Sequence, residues 1–150
     1  MAYIKVYIHF VWSTKNREPF LKTKELRQKV WQHIKENAKE KGIFVDFING
    51  YAEHCHCLIS LGVDQTIQKT MQLIKGESAF WINRQNEFTS AFAGKKVEWQ
   101  DEYFAVSVSE SMLNKVRNYI KNQENHHLKK TFQEEYDEFM TKYGFERFKD

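Results

Sequence analysis

Alternation opens the chain: Ile4, Val6, Ile8, Phe10 and Trp12 fall on one side of an extended segment, with Tyr3, Lys5, Tyr7 and His9 on the other. A period of two over residues 3–12 predicts a half-buried strand. Asn16, Arg17 and the chain's one proline, Pro19, break it. Leu26, Val30, Ile34 and Ala38 then recur every fourth position before Gly42, which predicts a helix of about 18 residues ended by glycine. Residues 43–51 are rich in β-branched and aromatic side chains and end at Asn49-Gly50, the signal of a second strand turning into a hairpin. In the third strand, 54–61, Cys55, Cys57, Ile59 and Leu61 share one face while His54, His56 and Ser60 share the other. Ile67, Met71, Ile74, Ser78 and Trp81 trace an amphipathic helix running toward Arg84. Residues 86–96 read as a turn-rich linker. Phe104, Val106 and Val108 alternate in a fourth strand, followed by a helix with Met112, Leu113, Val116 and Ile120 inward and a last helix over about 132–143, closed by Gly144.

The order β, α, β, β, α, β and two further helices predicts an α+β fold of the ferredoxin-like or RNA-recognition type: a split βαβ with an antiparallel sheet and helices on one face. The other face, carrying Tyr3, Lys5, Tyr7, His9, His54 and His56, would stay open. Such an aromatic and basic surface is a platform for single-stranded nucleic acid. No internal repeat is visible, and the 150 residues suit one domain over 1–150.

Composition narrows the class. Hydrophobic residues at 41% and charged residues at 29% are ordinary for a globular chain, and one Pro with six Gly excludes collagenous or low-complexity character. Aromatics reach 15%, more than a core of this size needs, so some rings are free to face a ligand. The net charge of +3 is unevenly spread: residues 1–42 carry +6 and the rest −3, which suits a polyanionic partner or a well-solvated helix face. No apolar run approaches membrane-spanning length and the N-terminus is not a secretory signal, so a cytoplasmic protein without a membrane partner is expected. Cys55 and Cys57 are too close in sequence to staple a small secreted fold.

Chemistry concentrates in two segments. Residues two apart on a strand project the same way, so His54 and His56 can converge on one metal ion while Cys55 points into the core. The same geometry argues against a four-ligand Cys2His2 zinc site. Two imidazoles leave coordination positions open, as a catalytic metal requires; the plainer reading is two surface histidines on a sheet. Tyr119 and Gln123 stand at i and i+4 of the third predicted helix, with His126 three residues on, so a phenol, an amide and an imidazole line one face. Tyr119 by itself would read as packing, and His126 as a helix-end histidine favoured by the macrodipole.

Across nearly the whole length the chain resembles the single-tyrosine HUH transposases of the IS200/IS605 kind, especially those associated with repetitive extragenic palindromes. The likeness rests on separated segments in order: His9 to Arg17 (HFVWSTKNR), Ile48 to Gly50, Glu53 to Ser60 (EHCHCLIS), Leu73 to Gly76, Trp99 to Asp101, Tyr119 to His127 (YIKNQENHH) and Glu134 to Tyr136. By that resemblance His54 and His56 are the histidines of the HUH motif, Tyr119 is the nucleophile and Gln123 a third metal ligand. The middle HUH position is normally a bulky hydrophobe and here is Cys55, a small residue that buries readily; Glu53 stands where aspartate is common.

The resemblance implies metal-dependent cleavage and transfer of single-stranded DNA at hairpin-flanked sites, through a 5′-phosphotyrosine, with Mg²⁺ or Mn²⁺ as cofactor and a homodimer as the working unit. Imidazole donors suit Mn²⁺ better. No phosphate-binding glycine loop is present, in keeping with a reaction that needs no nucleotide fuel. Lys15, Asn16, Arg17, Lys75 and Arg84 are the expected phosphate contacts. Two other readings stay open: a non-catalytic single-stranded nucleic-acid-binding module, and a domesticated nuclease acting on chromosomal palindromic repeats.

Overall fold

The structure, a computed structural model, describes residues 1–145. Strands β1 (Val6–Thr14), β2 (Phe44–Gly50), β3 (His54–Leu61) and β4 (Trp99–Val108) form one antiparallel sheet in the order β2-β3-β1-β4. This is the predicted α+β, split βαβ arrangement. Helices α1 (Lys24–Glu40) and α2 (Ile67–Asn83) connect the strands, each started by a threonine whose hydroxyl accepts a backbone N–H: Thr23 from Leu26 and Thr66 from Lys69. Gly42 takes φ +75 just beyond α1, the left-handed conformation that glycine adopts without a Cβ penalty. At Gly50 a Cβ would lie 2.2 Å from the His54 carbonyl oxygen and 2.9 Å from Trp31, so only glycine lets β2 close onto β3 here.

On one face of the sheet Phe10, Trp12, Cys55, Cys57 and Ile59 pack with Val30 and Ile34 of α1 and Met71, Ile74 and Ile82 of α2. The cysteines therefore lie in the core as expected, both free. The other face is not open. Helices α4 (Leu113–Lys121), α5 (Gln123–His127) and α6 (Phe132–Lys142) close over it, with Leu113 and Ile120 on Leu58 and with Phe132 and Phe139 clustered with Val11. His9, His54 and His56 are buried beneath them. The expected aromatic platform is thus a covered interior. The last helices carry apolar stripes that need a partner, and the strand histidines find polar partners on those same helices.

Smaller departures have equally local causes. Strand β1 begins at Val6, because Leu61 of β3 and Val108 of β4 pair no further back than Val6 and Tyr7; Tyr3 is fully exposed. Met112, expected inward, sits exposed in a short 3-10 turn, Glu110–Met112. The 86–96 linker holds a helix, α3 (Asn86–Ala91), which buries Phe88 against Trp81. Backbone at Asn122 (φ −94, ψ 18) breaks the expected continuous helix into α4 and α5. Among the described residues no helix is long and apolar enough to cross a membrane.

Candidate functional site

The two histidines of β3 project between the sheet and the C-terminal helices, each with no exposed surface. Their Nε2 atoms meet one carboxylate, Glu135 of α6: Oε1 is 3.0 Å from His56 and 3.3 Å from His54. Each ring's other nitrogen is also held. Nδ1 of His54 lies 2.7 Å from Glu53 Oε1, and Nδ1 of His56 lies 2.9 Å from Nε2 of His9 on β1. Gln123 is fully buried and sets its amide oxygen 3.1 Å from His54 Nε2 and 3.0 Å from His127 Nε2. The Tyr119 hydroxyl donates to Oε2 of Glu135, and His126 Nε2 lies 3.2 Å from that same oxygen. Phe132 stacks on the His54 ring, with centroids 4.2 Å apart.

The tyrosine is aimed by restraints on α4. Arg117 makes a two-pronged pair with Asp46 of β2 at 2.7 and 2.8 Å, and the Asn49 amide donates to the carbonyls of Ile120 and Lys121, satisfying the helix end. Arg27 of α1 fixes α5 through Glu124 at 2.6 Å, its own guanidinium lying over Tyr51. Thr131 and Glu134 form a capping box that starts α6 and fixes the rotation placing Glu135 inward.

Charge in this pocket is unevenly divided. Burial opposes the charged form of His54, yet hydrogen bonds to Glu135 and Glu53 outweigh it and raise this imidazole to about 9. Burial holds His56 down to about 4 and His9 to about 3, so both are neutral at pH 7. Burial would raise Glu135, but the surrounding imidazoles, His56 first, keep it ionised far below the usual carboxylate range. Tyr119 is pushed well above an ordinary phenol by burial and then by the charge of Glu135.

His54, His56 and Glu135 offer donor atoms within 4.8 Å of one another, and the Gln123 oxygen faces the same point. Two imidazole nitrogens, one carboxylate and one amide oxygen are a donor set suited to a divalent cation of the Mg²⁺ or Mn²⁺ class. The second contacts of His54 and His56 orient the rings as supporting partners do around metal-ligating histidines.

The sequence-predicted residues His54, His56, Tyr119 and Gln123 are therefore brought together. The predicted phosphate contacts are more scattered. Lys15, Asn16 and Arg17 form a 3-10 turn after β1, where Lys15 lies 3.5 Å from Glu98. Lys75, its charge disfavoured by burial, bonds the carbonyls of Gln100 and Asp101 at 2.5 and 3.0 Å. Arg84 lies over Phe80 past the end of α2, the helix that packs on the other face of the sheet. Glu135 and the supporting role of His9 went unread in the sequence. Glu135 falls between Phe132 and Phe139 on the apolar stripe of α6, and a carboxylate at such a position is a readable sign of a buried partner.

The family profile described as Transposase IS200 like matches residues 2–123. No match is found among curated proteins. Two solved structures share the fold. One is a candidate transposase from Deinococcus radiodurans R1, 23% identical over 81% of this chain and 93% of that one, with a TM-score of 0.59. The other is a REP-associated tyrosine transposase bound to a REP hairpin, 21% identical over 85% of this chain and 72% of that one, with a TM-score of 0.57. Reaching from before β1 to Gln123, the profile takes in both strand histidines, the tyrosine and the buried amide, and the chain belongs to the IS200-like transposase family.

Proposed function

We propose that this transposase cleaves single-stranded DNA beside a hairpin and transfers the strand, with Tyr119 as nucleophile and His54, His56, Gln123 and Glu135 as the ligands of a divalent cation. The observation that carries the reading is that the Tyr119 hydroxyl and the two imidazoles meet on opposite oxygens of one buried carboxylate. Packing alone does not require a nucleophile, an acid and two metal-binding nitrogens at one point. That favours an enzyme over a binding module. A domesticated nuclease would use the same chemistry.

Tyr119 attacks the phosphorus, a Tyr–O–P bond forms, and the P–O3′ bond breaks. The products are a 5′-phosphotyrosine and a free 3′-hydroxyl, and reversal with another 3′-end rejoins the strand. An ordinary phenol, of pKa about 10, is disfavoured as the anion at pH 7 by about 4 kcal/mol, and this one is pushed higher still. Its proton must therefore leave during attack: Glu135 Oε2, already bonded to that hydroxyl, orients it toward the phosphorus, and the proton ends on the departing O3′ as the 3′-hydroxyl forms. His9 and Glu53 keep the two imidazoles turned toward the reacting phosphate. Bound Mg²⁺ or Mn²⁺ would supply Lewis-acid stabilisation of the charge gathering on the phosphoryl oxygens. Lys15, Asn16 and Arg17 lie at the turn leading out of β1 and are the phosphate contacts nearest this site in the reading. Assembly as a homodimer belongs to it too, each chain holding its own tyrosine. The test is a 3′-end-labelled single-stranded hairpin incubated with Mn²⁺. Label should migrate with protein on a denaturing gel for the wild type and not for Tyr119→Phe; a Phe variant that still carries label overturns the assignment.

A further inference from the structure

Beside His54, on the same side of the sheet, lies a cleft of about 340 Å³ between α6 and the β1–β4 edge, a size at the lower end of small-ligand pockets. Its walls come from Arg17, Gln100, Glu102, Phe104, Phe132 and Tyr136. Phe132 is shared with the metal site: His54 stacks on it at 4.2 Å, and the Arg17 guanidinium lies 5.2 Å from its ring centre and 4.8 Å from that of Tyr136. Flat apolar rings beside a planar cation form a stacking slot, the environment that holds an unpaired base. Hydrogen-bonding groups line the opposite wall. Glu102 accepts the Tyr136 hydroxyl at 3.1 Å through one carboxylate oxygen only, and the Gln100 amide oxygen accepts the Asn16 backbone N–H at 3.3 Å. Asn16 and Arg17 hold left-handed backbone, φ 56 and 55, a strained conformation of the kind that collects at ligand clamps.

We infer that this cleft is a base-specific subsite taking one unpaired nucleobase of the strand that runs through the His54–Tyr119 centre. The inference rests on the strand-cleavage reading above and adds sequence selection by the protein itself. Glu102 is the anion in the slot, so it selects a base edge made of donors. Guanine, with N1–H and the N2 amino group side by side, matches a carboxylate acceptor best; thymine, with carbonyls flanking its single N–H, matches worst.

The test is selection of DNA hairpins carrying randomised single-stranded flanks on the Tyr119→Phe protein with Mn²⁺, followed by sequencing. The inference expects one flank position at which guanine is enriched about tenfold or more over thymine, the range of a good bidentate base contact. In Glu102→Gln and, separately, Gln100→Ala, both placed on the Tyr119→Phe background, that enrichment should fall to within about twofold of parity while the other positions keep their order. Melting temperature checks that each variant is folded. If both variants are folded and select the same base as strongly as their parent, the subsite is wrong and the strand-cleavage reading stands. If the parent enriches no hairpins at all, the reading of the whole site fails, and the subsite with it.

Discussion

Replacing Glu135 by Gln tests the electrostatic arrangement of the metal-free site. Glutamine keeps the size of the side chain and removes the charge that faces His54 and His56 at 3.3 and 3.0 Å. His54 has a folded pKa of about 9, above its unfolded value near 6.5. A group raised in this way contributes stability that is fully present below the unfolded pKa and lost as pH rises through the folded one. At pH 7 holding that proton stabilises the fold by up to about 3 kcal/mol, at about 1.4 kcal/mol per pH unit between 7 and 9. Glu53 supplies a share, so the loss on substitution should be about 2 kcal/mol, a fall in melting temperature of about 4–8 °C for a chain of this size. Glu135 itself has a depressed pKa, and its contribution is present above the unfolded carboxylate value. The deficit of Glu135→Gln should therefore stand throughout the neutral range and shrink above pH 9, where His54 is neutral in both proteins. Thermal melts in excess chelator at pH 7 and pH 10 read it directly. A variant as stable as wild type at pH 7, or a deficit undiminished at pH 10, would refute the reasoning.

Gly50→Ala forces a methyl into contact with the His54 carbonyl and Trp31 and should cost about 2 kcal/mol or more; urea melts that coincide with wild type would contradict it. Arg117→Ala releases the pair that aims α4, so the rate of covalent adduct formation should drop about tenfold or more while the melting temperature moves little. An unchanged rate would show that α4 needs no such anchor. Saturation with Mn²⁺ at about 100 times its Kd should stabilise the wild type by about 3 kcal/mol, and a chelator should reverse this. His54→Ala and His56→Ala should each lose most of that gain; a full gain in either would place the ion elsewhere.

Much of this was legible because strands and helices have fixed periods. The period of two over 54–61 put His54 with His56 and both cysteines opposite, and the third strand, His54–Leu61, has those bounds in the structure. The fourfold recurrence from Leu26 to Ala38 likewise found α1. What escaped was what only tertiary closure decides. Charged and aromatic residues on a strand read as solvent-facing, yet α4–α6 bring Gln123 and Glu135 onto them and turn a surface into an interior. Sequence periodicity says which side a residue faces but not what later covers that side. The spacing of Tyr119 and Gln123 aligns them on an unbroken helix, whereas the turn at Asn122 divides it; their meeting depends on Asn49 and on the pairing of Arg117 with Asp46, two β2 residues far away in sequence. Glu135 is legible only as a carboxylate on an apolar stripe: its place between Phe132 and Phe139 signals a buried partner, but which side chains it meets is decided by how α6 docks on the sheet.

The central claim is that one phenol acts at the point where the two buried imidazoles converge. Its most direct test is peptide mapping of the protein–DNA adduct after nuclease and protease digestion, by tandem mass spectrometry. We predict a 5′-phosphonucleotide on the peptide bearing Tyr119, formed with Mn²⁺, abolished by chelator and missing from His56→Ala. A nucleotide mapped to any other tyrosine, or an adduct at Tyr119 that forms equally well without His56, would contradict it.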